Sequence, residues 1–154
     1  IGILAAIAIP NFLRYQAKSR QSEAKTNLGA IFVAETAYLS ENSRYGSFSE
    51  IGYALAGTTN RYTYRSPVAG GTGASAPVAY PAANYDQIVC GAPAPCVAAG
   101  DNATFPSNAS TVAGSVGFTA TAVASIDNDA TIDSWHVNDI KAGLTAADID
   151  DVVS

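Results

Sequence analysis

The chain has 154 residues, 48% hydrophobic and only 14% charged, which suits one compact body and excludes disorder throughout. Its net charge of −5 argues against nucleic-acid binding by the whole chain, and no specific nucleic-acid site is read in it. The apolar fraction leans on Ala and Gly, so a thin core and plentiful loops are expected.

The first stretch, Ile1 to Leu13, is aliphatic on every side and nearly free of charge, so it must be buried all round. It is shorter than the roughly 20 apolar residues that a membrane span needs. No basic residue precedes it, so it is a poor secretory signal. It reads as the continuation of a longer hydrophobic segment. Gly2 and Pro10 are poor interior helix residues, and Pro10 removes a backbone donor and crowds the preceding turn. The backbone between them is expected to open or kink in an assembled form. The alternative is a continuous, gently bent helix.

From Arg14 to Glu41 the pattern turns amphipathic. Ala24, Leu28, Ile31, Glu35 and Tyr38 follow helical spacing, flanked by Phe32 and Leu39. A helix running unbroken from Ile1 would be about 60 Å long. One globule has no use for such a rod, so half of it must protrude or pack on other chains. Glu35 is expected at the edge of the inner face, snorkelling to water. Arg14, Lys18, Arg20 and Lys25 form a basic cluster opposed only by Glu23. It reads either as a solvated stem or as a surface facing lipid headgroups or acidic neighbours.

The organisation is therefore a helix over 1–41, with an apolar head 1–13 and an amphipathic stem 14–41, followed by a globular part over 42–154. Within the latter, 42–60 is a turn-rich connection, with Tyr45, Phe48, Ile51 and Tyr53 expected to pin it to the core. Sheet and loops fill 61–154. Arg61 to Arg65 alternates and predicts a first strand with Tyr62 and Tyr64 on one face. Asp86 to Cys90 suggests a second. Ser115 to Ser125 alternates with Val116, Phe118, Ala120 and Ala122 on one face and Thr119 and Thr121 on the other. Ala130 to Val137 is its partner across an Asp127-Asn128-Asp129 turn, and a short helix is predicted after Thr145. Between these lie Gly- and Pro-rich loops, above all from Ser66 to Thr111. The fold class is α+β: a long protruding N-terminal helix packed on a small antiparallel sheet.

Chemistry is sparse. His136 is the one histidine, it sits in a strand, and no nucleophile elbow or phosphate loop accompanies it. The chain therefore reads as non-enzymatic and without a cofactor. Cys90 and Cys96 read as a disulfide closing a Pro-rich loop in an exported protein, against the alternative of two free thiols. Asp127, Asp129 and Asp133 are the one candidate metal set, for calcium, against the alternative of an acidic hairpin turn capped by its own side chains. The aromatics Phe12, Tyr15, Phe32, Tyr38 and Tyr45 are adequately explained by helical spacing and core packing.

The run IGILAAIAIPNFLRYQAKSRQSEAKTNL, covering Ile1 to Leu28, resembles the downstream part of the N-terminal segment of type IV pilins. NSRYGSFSEIGYA, NRYTYR and DNDATIDSWHVND are more loosely similar to the later region of major pilins from myxobacteria and related groups. The resemblance implies a filament subunit, assembled by burying Ile1, Ile3, Leu4, Ile7, Ile9, Pro10, Phe12 and Leu13 in a shared core with identical copies. It implies an inner-membrane precursor handled by assembly machinery, then a filament on the bacterial surface serving adhesion, twitching motility or DNA uptake. The processing site and assembly glutamate of that family would lie upstream of Ile1, so no residue here carries them. Pseudopilins of type II secretion systems, which hold calcium near an acidic loop, are the second resemblance. One departure is that both cysteines lie mid-chain, so the C-terminal region must be held by packing.

Overall fold

The computed structural model describes residues 2–55, 60–67, 85–88, 90–91, 118–126 and 132–139. Helix α1 spans Gly2–Asn42 without interruption. The segment between Gly2 and Pro10, expected to open, is helical in the single chain. Proline withholds one amide from the ladder, and the flanking Ala5, Ala6, Ala8, Leu4 and Leu13, with good helix propensity, carry the backbone past it.

The stem buries Ala17, Gln21, Ala24, Leu28, Ile31 and Glu35. These alternate in steps of four and three, which keeps them in one line along the helix. The helix ends at a left-handed Ser43 (φ 56°), whose amide donates to the Leu39 carbonyl over 2.8 Å. This is the αL ending that glycine usually makes; a serine there accepts some Cβ crowding.

Four strands are present among the described residues: β1 (Thr63–Pro67), β2 (Tyr85–Ile88), β3 (Thr119–Ala124) and β4 (Asp133–Asn138). They form one antiparallel sheet in the order β2-β1-β3-β4. Register pairs Tyr64 with Ala122, Ala122 with Trp135 and Ala120 with Val137, so these residues share the face beneath α1. The helix crosses β3 and β4. Alanines at 120, 122 and 124 let it approach closely, while Tyr62, Tyr64, Phe118 and Trp135 supply the bulk of the core.

The opposite face of β3 and β4 is buried as well, with Thr119, Thr121, Val123, Ser134, His136 and Asn138 all under cover. A strand buried on both sides carries no solvent face to alternate with, and the polar residues there gave no sign of it in the sequence.

The connection after α1 folds back onto the stem. Phe48 is buried, and Tyr45, Ile51 and Tyr53 pack against the core. Phe118 gathers the parts, 4.9 Å from the Tyr45 ring and 6.0 Å from the Phe32 ring. The predicted β3–β4 turn at 127–129, Val116 and the C-terminal helix lie outside the described residues.

Candidate functional site

Two features of α1 bear on function: what the stem grips, and what the head leaves uncovered. The stem is fastened to the sheet by polar side chains at its inner stripe. Gln21 donates from its amide to Asp133 Oδ1 over 2.8 Å. The Tyr62 hydroxyl and the Trp135 indole N–H both donate to Asp133 Oδ2, each over 2.5 Å. One fully buried carboxylate thus joins α1, the entry to β1, and β4.

Two residues further along, Glu23 accepts from the Arg61 amide over 2.9 Å. Asn27 donates its amide to the Tyr64 hydroxyl over 2.8 Å, and Tyr53 donates to the Asn27 carbonyl over 3.3 Å. Burial, with smaller contributions from neighbouring groups, pushes the Tyr62 and Tyr64 hydroxyls far above their ordinary range, so both stay protonated at any physiological pH.

The basic cluster divides. Arg20 donates to the Ile126 carbonyl, and the Lys25 ammonium sits 4.7 Å from the centre of the Trp135 ring. Arg14 and Lys18 stay exposed beside the head. Part of the cluster therefore serves the chain's own fold, a use the sequence did not suggest. Beside Lys25, an open apolar groove of about 370 Å³ runs between α1 and β4, lined chiefly by Leu28, Gly29, Phe32, Trp135 and Val137.

Glu35 departs from expectation. It is not an edge residue but wholly buried on the inner stripe. Its Oε2 accepts from the Gly46 amide over 3.0 Å and its Oε1 from the Ser66 hydroxyl over 3.5 Å. Those two partners come from the connection and from β1, so nothing in the local sequence announced a use for the carboxyl. Burial raises its pKa to about 7, against the lowering effect of both hydrogen bonds. Nearby, Arg44 pairs with Glu50 at 2.7 Å and holds the Glu50 carboxyl below its usual value.

The head is the opposite case. Ile9, Phe12, Leu13 and Tyr15 are 59%, 66%, 56% and 71% exposed. They form a run of large apolar side chains with no cover in the single chain, immediately before the first buried stem residue, Ala17. Among the described residues no helix is long and apolar enough to cross a membrane. Ile3, Leu4, Ile7 and Pro10 share the same helical backbone. Their side chains, together with Ile1, lie outside the described residues.

Of the candidate metal residues, Asp133 alone is described, and both its oxygens already accept protein donors. Asp127 and Asp129 lie outside the described residues. Among the described residues no group of three or more His, Cys, Asp or Glu is placed to hold a metal ion. Cys90 is buried, its amide donating to Thr63 Oγ1 over 3.2 Å; Cys96 lies outside the described residues. His136 is buried on the far face of β4, opposite the face that carries Asp133.

No family model matches the chain. A type IV major pilin protein, PilA, of Myxococcus xanthus (strain DK1622) is 42% identical over 161 aligned residues. The match covers 89% of this chain and 72% of that protein.

Proposed function

Because this chain belongs to the type IV pilin family and is a structural subunit of a pilus filament at the cell surface, we propose that its exposed head is the surface on which the filament is built. Ile9, Phe12 and Leu13 pack against the heads of identical subunits along a shared axis, and the stem and sheet form the outer wall. The carrying observation is the contrast along one helix. The stem stripe from Ala17 to Glu35 is buried by the chain's own sheet, whereas the large apolar residues before it are more than half exposed.

Fully burying an Ile, Phe or Leu contributes roughly 1.5–3 kcal/mol, and these three have somewhat over half their surface left to bury, so together they bias every added subunit toward the polymer by roughly 3–5 kcal/mol. Before assembly, the same head is held in the inner membrane and handed on by the assembly machinery. Arg14 and Lys18, exposed beside it, are suited to lipid headgroups. The finished filament serves adhesion, motility or DNA uptake. No observation favours the secretion pseudopilin.

Electron microscopy of cell-surface fibres, followed by helical reconstruction, tests this reading. Density for Phe12 and Leu13 buried among neighbouring helices is expected. Material that carries the head yet stays dispersed as single molecules, from cells without fibres, overturns it.

A further inference from the structure

The filament reading leaves Glu35 without a role. It is a fully buried carboxyl in the stem, 11 positions before the amide it accepts. The connection approaches it at Gly46, where an added Cβ would stand 3.0 Å from Ile51 Cγ2 and 3.1 Å from both Glu50 Cβ and Tyr38 Cε1. Glycine lets the backbone sit there without displacing those side chains, and its N–H donates to Glu35 Oε2 over 3.0 Å. The Ser66 hydroxyl approaches from β1.

Among the described residues, the charged and titratable groups around this point offer no counter-charge; Arg65 of β1 lies on the sheet's far face with Thr121. From the connection, Glu50 opposes ionisation of Glu35, and its partner Arg44 is spent on Glu50 and the Tyr38 hydroxyl. Tyr45, also from the connection, is held protonated by burial and by the charges of Asp139 and Glu35. From the stem itself, Tyr38 stands against Gly46. Asp139, after β4, is a further acid. Among the described residues, Glu35, Glu50 and Asp139 share the one guanidinium of Arg44, which is paired with Glu50.

We propose that Glu35 is a proton-controlled tether for the connection 43–53, seating it on the stem when protonated and loosening it when ionised. Protonated, the carboxyl keeps Oε2 as acceptor for Gly46 and can turn its O–H toward Ser66. Ionised, it leaves an anion in the core with two neutral donors and, among the described residues, no cation beside it, a costly arrangement. Lifting the connection admits water to the carboxylate; the proton passes to solvent and returns when the connection seats again. Because burial places this change near neutral pH, ordinary variation around the cell would act on it. The tethered segment is at the surface, with Ser43, Ser49, Glu50 and Gly52 exposed, so the device would alter the outer wall of a subunit rather than its head.

Hydrogen exchange of the full chain in detergent micelles tests this, with amide rates over 44–53 corrected for their intrinsic pH dependence. Protection there is expected to fall about tenfold between pH 6 and pH 8. Protection in the stem around Leu28 serves as the internal reference. Glu35→Gln keeps an acceptor for Gly46 and cannot ionise; it is expected to abolish the pH dependence and hold the connection seated at pH 8. Carboxyl NMR titration of the wild-type chain gives a second readout, with Glu35 titrating well above the other glutamates. Equal protection at both pH values in the wild type, or the same slope in Glu35→Gln, overturns the proposal.

Discussion

The amide of Gln21 donates to Asp133 Oδ1 over 2.8 Å, joining residues 112 positions apart. The same carboxylate takes the Tyr62 hydroxyl and the Trp135 N–H. Asp133→Ala leaves three buried donors without their acceptor and is expected to cost about 3 kcal/mol or more. Asp133→Asn retains an oxygen acceptor and should cost less. Denaturant unfolding followed by Trp135 fluorescence measures both. An alanine variant as stable as the wild type would refute the anchoring role.

Leu13 is 56% exposed whereas Leu28 is buried. Leu13→Glu is therefore expected to shift the stability of the single chain by no more than about 0.5 kcal/mol. The same change should eliminate filaments in electron micrographs. Leu28→Ala should do the reverse in order of cause, losing about 2–5 kcal/mol of stability first and filaments only as a consequence. Normal fibres from Leu13→Glu would argue against the head as the assembly surface.

The carboxyl of Glu35 titrates at about 7 in the fold, against 4.5 for an ordinary glutamate, chiefly through burial. Between those values the folded chain holds a proton that the unfolded chain has released. Stability must then be greatest toward the acid end of the window and fall as pH rises from 4.5 to 7, with a Glu35 contribution of roughly 3 kcal/mol. Global unfolding of the wild type compared with Glu35→Gln isolates that contribution, since other acids titrate in both. Parallel stability curves across the window would remove Glu35 as its source.

Two glycines make opposite predictions. At Gly46 a methyl group would press on Ile51, Glu50 and Tyr38, so Gly46→Ala is expected to destabilise by about 1–3 kcal/mol. At Gly29, inside the stem, an added Cβ meets nothing within 4 Å. Gly29→Ala should stabilise the single chain by up to about 1 kcal/mol through helix propensity alone. Thermal unfolding of the pair decides; a shift of the same sign in both would contradict the packing described.

Cys90 lies beside Thr63, at the start of β1. A bond to Cys96 would close a short loop and is expected to contribute about 2 kcal/mol by the loop-entropy relation. Peptide mapping without reductant should return the two cysteines linked. Free thiol at both positions in secreted material would refute the pairing.

Much of the architecture was legible because it rests on periodicity, which is local. Ala24, Leu28 and Ile31 recur at helical spacing, and they are buried. Tyr62 and Tyr64 alternate, and both reach the core. The α+β class and the antiparallel sheet followed from such runs and the turns between them. The head was legible too, since a charge-free run that one small body cannot enclose must seek other chains. The opening expected between Gly2 and Pro10 concerns the assembled form; in the single chain that stretch is helical.

What the sequence by itself determined, then, is which stretches are helix or strand, which faces are apolar, and that the leading apolar run needs partners. Only the tertiary structure decided what the buried acids do. Asp133 and Glu35 take their roles from donors that arrive from other elements, Gln21 and Tyr62 for one, Gly46 and Ser66 for the other. Spacing along the chain carries no record of those meetings. A carboxyl's charge, partners and exposure are properties of the place where separate segments converge, and that place exists only once the chain has folded.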